Sequence, residues 1–168
     1  MDTFIEKIVS KKKDILDYVI ISGTSVLAVF IILMIFTSMG AAGGAIAIVL
    51  SVAIGYLTYM IITARNIEYE YALTNGELDI DKIIARRKRK RMFSGNCREF
   101  EIMARASSEK NSEYSQGVMA KINAASSLKS DDVYFFVAQY KGKRVMVYFE
   151  PDDRIFSLIK AMNRKVIE

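Results

Sequence analysis

The segment from Tyr18 to Ala64 contains no charged residue and consists almost entirely of aliphatic, aromatic and small side chains. A helix of about 20 apolar residues crosses the hydrocarbon core of a bilayer. The segment is long enough for two such crossings and a tight turn. The sequence therefore predicts a membrane protein with spans at residues 18–37 and 45–64, joined by a glycine-containing turn at residues 38–44.

Positive residues flank both predicted spans. Lys7 and Lys11–Lys13 precede the first span, Arg65 follows the second, and the turn between the spans is uncharged. Lysine and arginine beside a span are retained on the cytoplasmic side of the membrane. We therefore expect two spans with both termini cytoplasmic and only the turn outside.

Residues 1–17 form a leader in which apolar residues recur at helical spacing, with lysines between them. This pattern predicts an amphipathic helix. Such a helix can lie on the membrane surface, or it can be a plain extension of the first span. The apolar positions of the leader are Phe4, Ile5, Ile8, Val9, Ile15 and Leu16.

After Arg65 the hydrophobic period changes to two, which is typical of half-buried strands. Residues 67–73 alternate between apolar and polar side chains, residues 77–84 alternate again, and Asn75-Gly76 between them is a strong hairpin signal. Further strands are predicted at residues 98–105, 133–140 and 144–149, with a short helix through Tyr114, Val118 and Ile122. Pro151 ends the last strand and opens an amphipathic helix at residues 152–166.

This order of elements indicates an α+β protein. An N-terminal transmembrane helical hairpin at residues 18–64 is followed at residues 65–168 by a small, mostly antiparallel β domain with a C-terminal helix. A meander of strands closed by one such helix is the outline of a pleckstrin-homology-like barrel. No linker separates the second span from the first strand, so we expect the domain to sit against the headgroups.

The segments at residues 68–71 and 74–83, the Arg/Lys run that follows them, and residues 149–151 resemble an uncharacterised bacterial family. Its members are small proteins with two membrane spans and a cytoplasmic pleckstrin-homology-like domain. The resemblance extends over nearly the whole chain. It implies that fold, that topology and a bacterial inner membrane, and it carries no functional residue with it.

One run of basic residues is the candidate ligand-binding feature of the domain. Cations near an anionic leaflet are attracted to it by about 1 kcal/mol each. The alternatives are a solvated segment that only determines topology, or contact with a protein. Nucleic acid is not expected, because the run lacks the interleaved aromatic residues that stack on bases. The run comprises Arg86, Arg87, Lys88, Arg89, Lys90 and Arg91.

If the run is a strand, alternate residues point to opposite faces. One face would then carry Arg86, Lys88 and Lys90, and the other Arg87, Arg89 and Arg91. One of these two faces would have to be the barrel interior, which carries a large cost for burying charge. We therefore expect the run to be a protruding strand edge or loop.

The second span carries small residues at every fourth position: Gly43, Ala47, Ser51 and Gly55. Such a stripe lets another helix approach closely. The simplest partner is the first span, through Thr24 and Ala28. A second copy of the chain, or the helices of a transporter or secretion complex, are the alternatives.

Catalytic and cofactor signatures are not found in the sequence. There is no histidine, and Cys97 is the single cysteine. Glu77, Asp79 and Asp81 share a strand face, but basic residues nearby indicate a salt-bridged surface rather than a metal site. We expect no enzyme, no cofactor and no small-molecule substrate. The predicted function is a membrane-anchored binding or scaffold module that contacts anionic lipid or a protein partner, with an accessory subunit of a membrane complex as the alternative.

Overall fold

The computed structural model describes residues 4–39 and 43–166, and these residues form two compact units. The first, the β unit, combines the strand Phe4–Ser10 with the chain from Ile67 onward. The second, the helical unit, is Lys13–Asn66. The helical unit is therefore an insertion between two strands of the β unit.

The helical unit contains two long apolar helices, α1 (Ile15–Met39) and α2 (Gly44–Thr63). Both are apolar enough and long enough to cross a membrane. Ala28 of α1 and Ala47 of α2 are buried where small side chains let the helices pack. Residues 40–42 of the predicted turn lie outside the described residues.

An ion pair joins the start of α1 to the residues that follow α2. The Nε of Arg65 donates to the Oδ1 of Asp17 at 2.7 Å, and the Oδ2 of Asp17 accepts the backbone N–H of Asp14. The Asp17 side chain is buried. The pair holds α1 and α2 antiparallel, a contact that the sequence pattern did not indicate.

The first sheet contains four antiparallel strands in chain order: β1 (Phe4–Ser10), β2 (Ile67–Thr74), β3 (Glu77–Ile84) and β4 (Lys88–Asn96). Asn75 and Gly76 join β2 to β3 with φ of 50° and 91°, as the hairpin signal predicted. Tyr71, Leu73, Leu78 and Ile80 of this hairpin are fully buried on one face.

The predicted amphipathic helix at the start of the leader is wrong, because residues 4–10 form strand β1. β1 pairs with β2 along its whole length, from Phe4 opposite Thr74 to Ser10 opposite Glu68. Val9 is buried in the core of the β unit, and the Nζ of Lys7 donates to the carbonyl of Glu150 at 2.8 Å. The β domain therefore begins before α1 rather than at residue 65.

The second sheet has the order β5-β7-β8-β6, with β5 (Ile102–Arg105), β6 (Ala120–Asn123), β7 (Tyr134–Tyr140) and β8 (Lys143–Phe149). β6 is parallel to β8, and the other pairs are antiparallel. Helix α3 (Lys110–Ser115) is shorter than predicted, since Ile122 lies on β6. A 3-10 helix at Cys97–Glu99 likewise shortens the strand predicted at residues 98–105.

Helix α4 (Asp153–Met162) packs Ile155 and Ile159 into the core between the sheets. Asp152 caps it, since its Oδ1 accepts the N–H of Ile155 at 2.8 Å. The helix ends before residue 166, and Val166 instead forms a bridge with Met103 of β5. The predicted α+β fold class is confirmed, with the difference that the sheets do not close into a barrel within the described residues.

Candidate functional site

The basic run occupies the turn between β3 and β4 and the first half of β4. Ala85 and Arg86 have φ of 53° and 55°, and the N–H of Arg87 donates to the carbonyl of Ile84 at 3.0 Å. Two consecutive positive φ values are typical of the type I′ turn, whose twist suits a hairpin. Residues 88–91 are exposed at the edge of the first sheet, so the run lies on the surface of the β unit.

A β-bulge in β4 determines which way the arginines point. Phe93 lies opposite Ile80, but Arg91 lies opposite Asp81, so Met92 is an extra residue in the ladder. Phe93 is buried in the core. Without the bulge, Arg91 would share the buried face of Phe93, because residues two apart on a strand point the same way. The bulge places Arg89 and Arg91 on the outer face of the first sheet.

The outer arginines bind carboxylates of β2 and β3. The Nη2 of Arg89 lies 2.5 Å from the Oε2 of Glu70, and the Nε of Arg91 lies 2.5 Å from the Oδ1 of Asp81. A second nitrogen of Arg91 reaches Asp79 at 2.6 Å. The hydrogen bond to Asp81 and the nearby charges raise the pKa of Arg91. This part of the run is therefore neutralised within the chain.

Arg86 in the turn has a weaker contact of the same kind. Its Nε lies 3.3 Å from the Oε1 of Glu68, and the Arg86 side chain is largely exposed. An exposed pair at this distance stabilises a protein by less than about 1 kcal/mol. Arg86 is thus only loosely held by the domain.

Lysines occupy the opposite face of the hairpin end. Lys90 lies directly opposite Lys82, and Lys88 lies opposite Ile84. Directly opposed residues of an antiparallel pair share a face, so Lys82, Lys88 and Lys90 form one cationic surface, the lysine face. Across residues 4–39 and 43–166, no ion pair joins any of the three to a carboxylate. Lys82 belongs to this surface although the sequence pattern singled out only residues 86–91.

The four small residues of the stripe have different surroundings, and the first of them, Gly43, directly precedes α2. Ala47 is buried and Ser51 half-buried, and a Cβ added at Gly43 would lie 2.6 Å from the Cβ of Met39. A Cβ added at Gly55 would meet nothing within 4 Å. Gly43 and Ala47 therefore serve the packing of α1 on α2, while Gly55 is open.

Cys97 lies in the core of the β unit and is fully buried. Burial raises the pKa of its thiol to about 12. The thiolate is the reactive form of cysteine, so Cys97 is unreactive at neutral pH despite its sequence position close to the basic run.

Comparison with known families identifies the architecture just described. The sequence profile of the family described as "Bacterial PH-like domain (DUF6106)" matches residues 1–168. The chain belongs to this family. The β unit is thus a PH-like domain, with the helical unit inserted after its first strand. The match also gives the chain a bacterial origin. No curated protein and no solved structure matches the chain.

Proposed function

We propose that the chain is a membrane-anchored binding module without enzymatic activity. Helices α1 and α2 cross the inner membrane of the bacterium as a hairpin and hold the PH-like domain at the cytoplasmic surface. There the domain contacts anionic lipid through its basic hairpin end, or a protein partner in the same membrane. Anchoring raises the effective concentration of a weak binder near its partner.

The exposure of the two apolar helices carries this proposal. Only Asp17 and Ala28 of α1 are buried, and only Ala47 of α2. A core helix of a water-soluble protein is covered by other elements, whereas these helices present large aliphatic and aromatic side chains outward. Large exposed apolar surfaces mark membrane or protein contact. The 20 residues of α2 extend about 30 Å, the thickness of a hydrocarbon core.

The charges at the two junctions support the orientation. Lys11–Lys13 precede α1, and Arg65 follows α2. The two chain segments that enter and leave the helical unit come from the same end of the first sheet, since Ser10 lies opposite Glu68. Both positively charged junctions therefore belong on the cytoplasmic side.

The accessory-subunit alternative has less support. It requires the small-residue stripe of α2 to receive foreign helices, and Gly43 and Ala47 already contact α1 or lie buried. We therefore favour the PH-like domain, and not the helices, as the part that contacts the partner.

Accessibility of single cysteines tests the proposal. Two variants of the full chain are expressed in bacteria, S38C at the end of α1 and K143C at the start of β8, and spheroplasts are treated with a membrane-impermeant maleimide. Cys97 is buried and serves as a silent background. We expect S38C to react in intact spheroplasts and K143C to react only after lysis. Labelling of K143C in intact spheroplasts, or a chain that is soluble without detergent, would contradict the proposal.

A further inference from the structure

We propose that the lysine face, formed by Lys82, Lys88 and Lys90, binds the phosphate groups of anionic phospholipids, and that Arg89 and Arg91 do not. This inference rests on the proposed membrane anchoring and assigns the contact to one side of the hairpin. The two sides differ because the arginines are bound by carboxylates of their own sheet, while the lysines are not.

The register of β3 and β4 brings positive charges of the lysine face close together, and bound anions would reduce their repulsion. Lys82 and Lys90 are directly opposed, and like charges in that position destabilise a sheet. Among the described residues, no carboxylate offsets this repulsion. Phosphate groups at the surface would supply the missing negative charge.

Apolar side chains on the same face suit a bilayer surface better than a soluble anion. Ile67 lies opposite Ile84, and Ile84 lies opposite Lys88, so these three residues form one row across the sheet. Both isoleucines are only partly buried. Lysine stems can lie along apolar surface while their ammonium groups reach phosphates.

A short chain segment connects the strand of Ile67 to α2. Ile67 follows Thr63, the last residue of α2, by four Cα steps, which span at most about 14 Å. The headgroup layer of one leaflet is itself about 5–7 Å thick. The connection is thus short enough to let the strand of Ile67 lie at that layer.

Amide hydrogen exchange of the full chain in lipid nanodiscs tests the inference. Exchange of residues 82–91 is compared in discs of phosphatidylcholine alone and in discs that also contain phosphatidylglycerol. We expect slower exchange only with phosphatidylglycerol, reversed by high salt. Each lysine near an anionic leaflet contributes roughly a factor of five, so the three together predict up to about a hundredfold protection.

The triple variant K82Q/K88Q/K90Q should lose this protection. The matched control K121Q/K129Q/K143Q removes the same charge from exposed lysines elsewhere in the domain and should keep it. R89Q should also keep it, provided that Cys97 stays inaccessible to thiol reagents and so reports a folded domain. Equal protection of the lysine-face variant and the unaltered chain, or equal loss in both triple variants, would overturn the inference.

Two further arms separate the sources of phosphate and the two proposals. Glycerol 1-phosphate is added to discs of phosphatidylcholine alone, and protection there would assign the face to a soluble phosphate ligand instead of the bilayer. Protection by both kinds of disc would rule out recognition of headgroup charge. If the chain does not elute with the discs, the proposed membrane anchoring is overturned. If the chain inserts but phosphatidylglycerol does not slow the exchange of residues 82–91, only the lysine-face assignment is overturned.

Discussion

Single side chains connect parts of the PH-like domain that are far apart in sequence. The hydroxyl of Tyr71 donates to the carbonyl of Ala124 at 2.5 Å and accepts the N–H of Glu150 at 3.2 Å. Ser126 in turn donates to the Glu150 carboxylate at 2.8 Å. Strand alternation predicts that Tyr71 faces the core, but its partners lie 53 and 79 residues away. A local sequence pattern therefore cannot predict which residues bind the Tyr71 hydroxyl.

Cys97 allows a prediction about pH. Its pKa is raised by burial from 9.0 to about 12 in the folded chain, so between these values the unfolded chain has lost the proton that the folded chain keeps. The folded state then binds more protons, and stability falls as pH rises. The contribution of Cys97 is present in full below pH 9 and is lost progressively as the pH rises towards 12.

The variant C97A isolates this contribution. Unfolding of the full chain in detergent is followed by circular dichroism over the alkaline range, and we expect a shallower decline of stability for C97A than for the unaltered chain. The lost side-chain volume lowers the stability of C97A at every pH, so only the slopes are compared. Parallel slopes would show that the thiol does not titrate as its burial requires.

At the scale of elements, the basic run was partly predictable. Alternation along a strand separated Lys88 and Lys90 from Arg89 and Arg91, and the cost of burying charge indicated a protruding edge. The bulge at Met92 could not be predicted, because it depends on how β4 meets Asp81 of β3 and the core around Phe93. The ion pairs of the arginines follow from that bulge.

Strand β1 provides a second prediction, based on two adjacent residues. Val9 is buried in the domain core, whereas Ile8 points to the opposite face and is 53% exposed. V9D places an unpaired charge in the core and should destabilise the domain by about 3 kcal/mol. I8D should change the stability by less than about 1 kcal/mol. The midpoint of thermal exposure of Cys97 to a thiol reagent, with the full chain in detergent, measures both.

The same pair distinguishes the strand from the helix that the sequence predicted. On an amphipathic helix, Ile8 and Val9 belong to one apolar face, and the two substitutions should have similar effects. Similar effects of I8D and V9D on Cys97 exposure would therefore contradict the pairing of β1 with β2.

At the scale of the whole molecule, the helical unit is inserted into a β-hairpin. The N–H of Lys11 donates to the carbonyl of Ile67 at 2.9 Å, so the two ends of the insertion are in contact within the β unit. Replacing residues 12–66 by Asn-Gly joins these residues through a two-residue turn of the type that hydrogen-bonded strand ends accept. We expect a folded, water-soluble PH-like domain in which Cys97 is unreactive.

A chain that starts at Ile67 is the matched control for this replacement. It keeps every other strand but lacks β1, so it exposes the edge of β2 and loses the burial of Ile5 and Val9. Each fully buried aliphatic side chain contributes about 1.5–3 kcal/mol. We expect this chain to be markedly less stable than the Asn-Gly variant when both are compared by urea unfolding. Equal stability, or an Asn-Gly variant that still requires detergent, would contradict the division into two units.

The sequence alone determined the parts of this protein that depend on the local chain. These are the two apolar helices, the alternating strands of the β2–β3 hairpin with its Asn75-Gly76 turn, and the capped C-terminal helix. Each follows from the period of the hydrophobic pattern or the dihedral preferences of a few neighbouring residues. Only the tertiary structure decided the conformation of residues 4–10, because their hydrophobic pattern indicates a helix, whereas the strand forms by pairing with β2, more than fifty residues away. The tertiary structure also decided that Arg89 and Arg91 form ion pairs while the lysines on the opposite face do not, because the carboxylates that bind the arginines belong to β2 and β3.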